Sequence, residues 1–185
     1  MSSTRGGAIR QLVVVRHAPV SAAGLCYGRT DVAVTVLAPA AARTIADRLP
    51  WTPDTIWTSP LARARDAARH LAELLGTPLK IDERLREMDH GEWEGRSWKE
   101  IEGTDGDRLT AWMADWIGGR PPGGESLGEI EHRVAAWLAD LGPEPVVAVA
   151  HAGVIRAMWV LLEGLSWPEA IARDVQHLEP VVFGQ

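Results

Sequence analysis

The sequence predicts an α/β protein: a single-domain three-layer α/β/α sandwich around a mostly parallel central sheet. Three observations predict it. Two short runs, Leu12-Val13-Val14-Val15 and Val146-Val147-Ala148-Val149-Ala150, are apolar and rich in β-branched residues, the pattern of strands buried on both faces. Between them, strand-like and helical segments alternate, which places helices on both faces of a sheet. A chain of 185 residues, 46% hydrophobic and 24% charged, has the size and composition of one domain (residues 1–185) with its own core.

Met1 to Arg10 has no apolar stretch and does not read as a secretory signal, and residues 1–9 are expected to form a flexible N-terminal segment. After the first strand, Ala18 to Val34 reads as an irregular loop containing Cys26-Tyr27-Gly28-Arg29-Thr30-Asp31. Leu37 to Leu49 is alanine-rich and helical, with Pro39 in the first turn and Pro50 as the stop. Thr55 to Thr58 is a second strand. Ser59-Pro60 reads as a helix start, with the serine hydroxyl as cap, and Gly76 closes that helix. Arg63 and Arg65 fall in or near its first turn, where the helix dipole disfavours cations unless an anion offsets them.

Leu79 to Asp82 is a third strand, and Leu85 to Gly95 a glutamate-rich loop. Ser97-Trp98-Lys99-Glu100 has capping-box spacing and opens a short helix, with a separate apolar stripe at Leu109, Trp112, Met113 and Trp116. Gly118 to Gly124 is a Gly/Pro loop. Ser126 and Glu129 repeat the capping box ahead of an amphipathic helix running to Leu141. Val154 to Glu163 is helical and closed by Gly164, and Val181 to Phe183 is a final edge strand. Most of the nine tryptophans are assigned to the core.

A net charge of -6 argues against nucleic acid or an anionic membrane as the main partner, and no run approaches the roughly 20 apolar residues of a membrane span. The lone Cys26 excludes an internal disulfide and fits a reducing, cytoplasmic setting. Self-association into a homo-oligomer stays open.

Parallel sheets place their chemistry beyond the carboxyl ends of the strands. Arg16-His17 and His151 follow the two buried strands directly. Singly, each has an ordinary structural reading: Arg63 as a surface charge, Glu87 as a solvated loop acid, His151 as a satisfied core histidine. His70, His90, His132 and His177 stand in no supporting pattern. Taken together, two arginines, a helix N-terminus and two histidines at one sheet edge suit a dianionic phosphate. A metal site fails on spacing, with no His-x-x-x-His or clustered Cys/His set, and no cofactor is expected.

At this point the chain resembles the histidine phosphatase superfamily, with its phosphoglycerate-mutase-like fold. The matching stretches are Val15-Arg16-His17-Ala18, Ser59 to Ala64, Leu85-Arg86-Glu87 with Gly91-Glu92-Trp93-Glu94-Gly95, and His151-Ala152-Gly153-Val154-Ile155-Arg156. They span nearly the whole chain in the family's order. The resemblance implies a nucleophilic His17, phosphate-binding Arg16, Arg63 and His151, and Glu87 as proton donor. Alanine stands at 18 and 152 where the family usually has glycine, and Pro19-Val20 replaces a pattern that commonly includes threonine.

Within the superfamily the chain is most similar to α-ribazole phosphatases of cobalamin biosynthesis, through Cys26 to Asp31, Trp112 to Trp116 and Pro121 to Ser126. That similarity implies a small phosphomonoester as substrate, met by Tyr27, Gly28, Arg29 and Ala152 besides the phosphate ligands. Specificity is expected to lie in the loops Ala18–Val34 and Glu100–Gly124. The alternatives are a phosphoglycerate mutase or broad-specificity phosphatase on the same site, and, from another class, a non-catalytic module binding a phosphorylated ligand. An intact His17 and Glu87 argue against the last, since binding needs neither nucleophile nor acid.

Overall fold

The computed structural model describes residues 11–184; the segment expected to be flexible, 1–9, lies outside the described residues. The strands are β1 (Leu12–Arg16), β2 (Thr55–Thr58), β3 (Leu79–Ile81), β4 (Val146–Ala150) and β5 (Pro180–Phe183). They form one sheet in the order β3-β2-β4-β1-β5, parallel except for β5, which pairs antiparallel with β1 at one edge.

Alternation along the central strands explains the layers, because successive side chains point to opposite faces. Val13, Val15, Val147 and Val149 pack with Ile45, Ala64, Ala68 and Leu71 of helices α1 (Ala38–Arg48) and α2 (Ala62–Leu75). Leu12, Val14, Ala148 and Ala150 pack on the other face. Their partners there come from α4 (Leu127–Ala139), α5 (Ala152–Glu163) and α6 (Trp167–Ala172). The expected three-layer α/β/α sandwich is the fold observed.

Two local readings change. The helix after β2 begins at Ala62 with Leu61 as its N-cap residue, so Ser59 does not cap it. The two helices read between Ser97 and Trp116 are both present, running on from each other as α3 (Trp98–Ala114), with a kink between them where Asp105 leaves helical geometry and accepts from Trp93 Nε1 at 2.7 Å. Helix α6 was not foreseen, although Ser166 and Glu169 have the same capping-box spacing as the two pairs that were, with Ser166 N donating to Glu169 Oε2 at 2.8 Å. Eight of the nine tryptophans belong to core clusters, and Trp98 is the exposed exception. Among the described residues no helix is long and apolar enough to cross a membrane.

Candidate active site

Sheet register builds the centre of the site. β1 and β4 run parallel with Arg16 opposite Ala150, so the residues that follow each strand emerge side by side. His17 N donates to Ala150 O at 3.0 Å, and the rings of His17 and His151 lie 5.1 Å apart. β2 adds Ser59 at the same level, through Ser59 N to Val149 O at 3.3 Å.

His17 is 2% exposed. Its Nδ1 lies 2.7 Å from the Ala18 carbonyl, which can only accept, so Nδ1 carries the hydrogen and the Nε2 lone pair is left free. Burial pushes its pKa down to about 3, against the pull of that carbonyl and with help from Arg63, His177 and Arg16. Neutral His17 is therefore the form present near pH 7. His151 is fully buried, with Nε2 2.8 Å from Ser59 Oγ. Burial, then the charge of Arg63, holds it well below the usual histidine range.

Two guanidinium groups flank the pair. Arg16 donates through Nη1 to Val175 O at 2.8 Å. Arg63, buried in the first turn of α2, donates to Thr30 O at 2.8 Å and Gly28 O at 2.5 Å. Arg63 therefore serves as a buried cation, whereas Arg65 pairs with Asp66 at 2.9 Å. Arg16 Nε, Arg63 Nε and His151 Nδ1 are buried with no hydrogen-bond partner among the described residues. Buried donors are normally paired, so three unpaired nitrogens on residues grouped around His17 point to an anionic ligand.

Glu87 completes the group. Its carboxylate accepts from Met88 N at 3.0 Å and from Gly153 N, in the first turn of α5, at 3.1 Å. A Cβ at Gly153 would stand 2.2 Å from Glu87 Oε1, so a larger residue there would push the Glu87 carboxylate aside.

Arg16, His17, Glu87, Tyr27 and Ala152 line one cleft of about 250 Å³, with Met88, Leu127, Ile130, Trp167 and Ile171 as its apolar walls. Arg63 and His151 are not among its lining residues but are within electrostatic reach of His17. Gly28 and Arg29 do not line it either. Gly28 gives its N–H to Glu94 and its carbonyl to Arg63, and Arg29 pairs outward with Asp89 at 2.9 Å. Of the two loops expected to set specificity, Ala18–Val34 contributes Tyr27, but the far wall comes from α4 and α6 rather than from Glu100–Gly124. Glu94, Arg156 and His177 join the site's surroundings without having been given roles from the sequence. Glu94 and Arg156 sit inside the matching stretches. His177 had no signal.

The family model for the histidine phosphatase superfamily (branch 1) matches residues 12–182. A glucosyl-3-phosphoglycerate phosphatase of Mycolicibacterium vanbaalenii is 34% identical over 182 residues, covering 86% of this chain and 78% of that one. An adenosylcobalamin/alpha-ribazole phosphatase of Salmonella typhi is 32% identical over 167 residues, covering 86% and 82%. The crystal structure of the alpha-ribazole phosphatase from Shigella flexneri superposes with a TM-score of 0.80 over 95% of this chain and 96% of that one, at 24% identity.

Proposed function

The chain belongs to the histidine phosphatase superfamily, and we propose that it hydrolyses a phosphomonoester through a covalent phosphohistidine on His17, with no metal ion or cofactor. The observation that carries this reading is the neutral, buried His17 with Nδ1 engaged and Nε2 free, surrounded by unpaired cationic and imidazole nitrogens.

In the first step the Nε2 lone pair attacks phosphorus, the P–O ester bond breaks, and Glu87 gives its proton to the leaving oxygen. In the second, water attacks the phosphohistidine, its proton passes to Glu87, the P–N bond breaks and phosphate leaves. Arg16 and Arg63, with His151 as a neutral neighbour beside them, offset the charge of the phosphoryl oxygens, work that Mg²⁺ does in many other phosphoryl-transfer enzymes.

The substrate in this reading is α-ribazole 5′-phosphate. Its support is the Cys26–Asp31 motif, the name of the Salmonella relative, and a cleft walled by Tyr27, Met88, Leu127, Ile130, Trp167 and Ile171, which suits a flat apolar leaving group. The test is phosphate release from p-nitrophenyl phosphate in EDTA, wild type beside His17→Ala, followed by α-ribazole 5′-phosphate against glucosyl-3-phosphoglycerate. Activity should survive chelation and vanish in the variant. A metal requirement, or turnover without His17, overturns the mechanism; preference for the sugar phosphoglycerate overturns the substrate.

A further inference from the structure

Helix α6 is followed by a segment, residues 173–179, that crosses the carboxyl end of β1 before β5 pairs back along it. Three hydrogen bonds tie this segment to the two residues that open the site. Val175 O accepts from Arg16 Nη1 at 2.8 Å, Leu178 N donates to Arg16 O at 2.9 Å, and His177 Nδ1 meets His17 O at 2.6 Å. Because a carbonyl only accepts, His177 Nδ1 is the donor in the last of these.

Leu178 is strained, with φ +59, the one non-glycine residue at positive φ among those described. An L-side chain takes that conformation against a steric cost and keeps it only where surrounding contacts over-determine it. Here the contacts are those that clasp Arg16 and His17.

We propose that His177 is a positioning residue for the nucleophile: its Nδ1–H fixes the His17 carbonyl, and its ring packs beside the His17 ring. The inference rests on His17 being the phosphorylated residue. Two adjacent carbonyls make the coupling direct. The His17 carbonyl is held by His177, and the next one along, Ala18 O, holds His17 Nδ1. Fixing the first peptide limits where the second can point, and so where Nε2 lies. The ring of His17 lies 5.1 Å from that of His151 and 5.4 Å from that of His177, tilted about 60° to each. His177 is absent from the cleft lining, so it acts through His17 and not on substrate.

The experiment compares wild type, His177→Ala and His177→Asn by acid-quench measurement of phosphohistidine formation with p-nitrophenyl phosphate. Inhibition by inorganic phosphate and Tm are measured beside it. Asparagine is the informative replacement, because its Nδ2–H occupies the place of His Nδ1–H. His177→Ala should phosphorylate about 10- to 100-fold more slowly, the scale of a small misplacement of reacting groups. Phosphate inhibition should stay within about twofold, and His177→Asn should recover to within about threefold of wild type. Wild-type speed in His177→Ala, no recovery in His177→Asn, or a loss matched by equal losses in phosphate affinity and Tm would overturn the proposal. A wild type that forms no phosphohistidine overturns the underlying mechanism as well, so the two failures are told apart by the wild-type lane.

Discussion

The Glu94 carboxylate accepts from the backbone N–H groups of Gly28, Arg29, Thr30 and His90 and from the Thr30 hydroxyl, at 2.6 to 3.1 Å. Burial pushes its pKa up, but the His90 side chain, the Thr30 hydroxyl and these N–H donors outweigh burial and hold the group well below the usual carboxylate range. The same short loop turns its Gly28 and Thr30 carbonyls to Arg63. One carboxylate thus fixes an arginine it does not touch. Glu94→Gln turns one acceptor oxygen into a donor that faces N–H groups, which should loosen the loop and cost about 1–3 kcal/mol of stability. The KM for p-nitrophenyl phosphate should rise more than kcat falls; a KM left at the wild-type value would detach the loop from phosphate binding. The sequence announces Arg16, His17 and His151 because each follows an apolar strand, and strand ends are where parallel sheets keep their chemistry. It marks Glu94 only as part of a matching stretch and is silent on His177, because both act mainly on backbone groups far along the chain, and backbone groups carry no residue code.

Ser59-Pro60 illustrates the same limit for an element. The dipeptide has the chemistry of a helix start, yet Pro60 is followed by Leu61 in extended geometry and the helix begins one residue later. The hydroxyl is used instead on Leu61 N at 3.2 Å and on His151 Nε2 at 2.8 Å. A local pattern identified the right neighbourhood, but the tertiary partner set the role. Ser59→Ala would leave His151 Nε2 buried without a partner, which should cost about 1–3 kcal/mol by denaturant unfolding. It should also lower kcat with His151 no longer held, and an unchanged kcat would show that His151 keeps its place without the serine. Helix α3 shows the complementary case. Gly103, Asp105 and Gly106 interrupt its periodicity, so two helices are read, and the chain does leave helical geometry at Asp105, where the Trp93 to Asp105 bond holds the kink between them.

For the whole molecule, the parallel pairing of β1 and β4 brings together two histidines separated by 134 positions, 17 and 151, and buries both. Burying them has a consequence for stability that can be signed. In the unfolded chain a histidine takes a proton near pH 6.5, whereas folded His17 does so only near pH 3, and His151 and His177 are lowered too. Above about pH 6.5 both states leave His17 neutral and it makes no difference to folding. Below that, the unfolded state binds a proton the fold refuses, so stability falls as pH drops from about 6.5 towards 3. His17 alone should contribute a slope of up to about 1.4 kcal/mol per pH unit across that window. Urea unfolding at pH 7, 6 and 5 measures it, with His17→Asn as the reference, since the amide N–H can still reach Ala18 O but cannot titrate. Every carboxylate contributes equally to both proteins, so the difference between their slopes isolates His17. A variant less sensitive to acid by about 1 kcal/mol per pH unit would mean that the fold holds His17, the proposed nucleophile, neutral by keeping it dry. Parallel slopes would mean that His17 titrates at its ordinary value, and its readiness to attack phosphorus would then have to come from the bound substrate rather than from the protein.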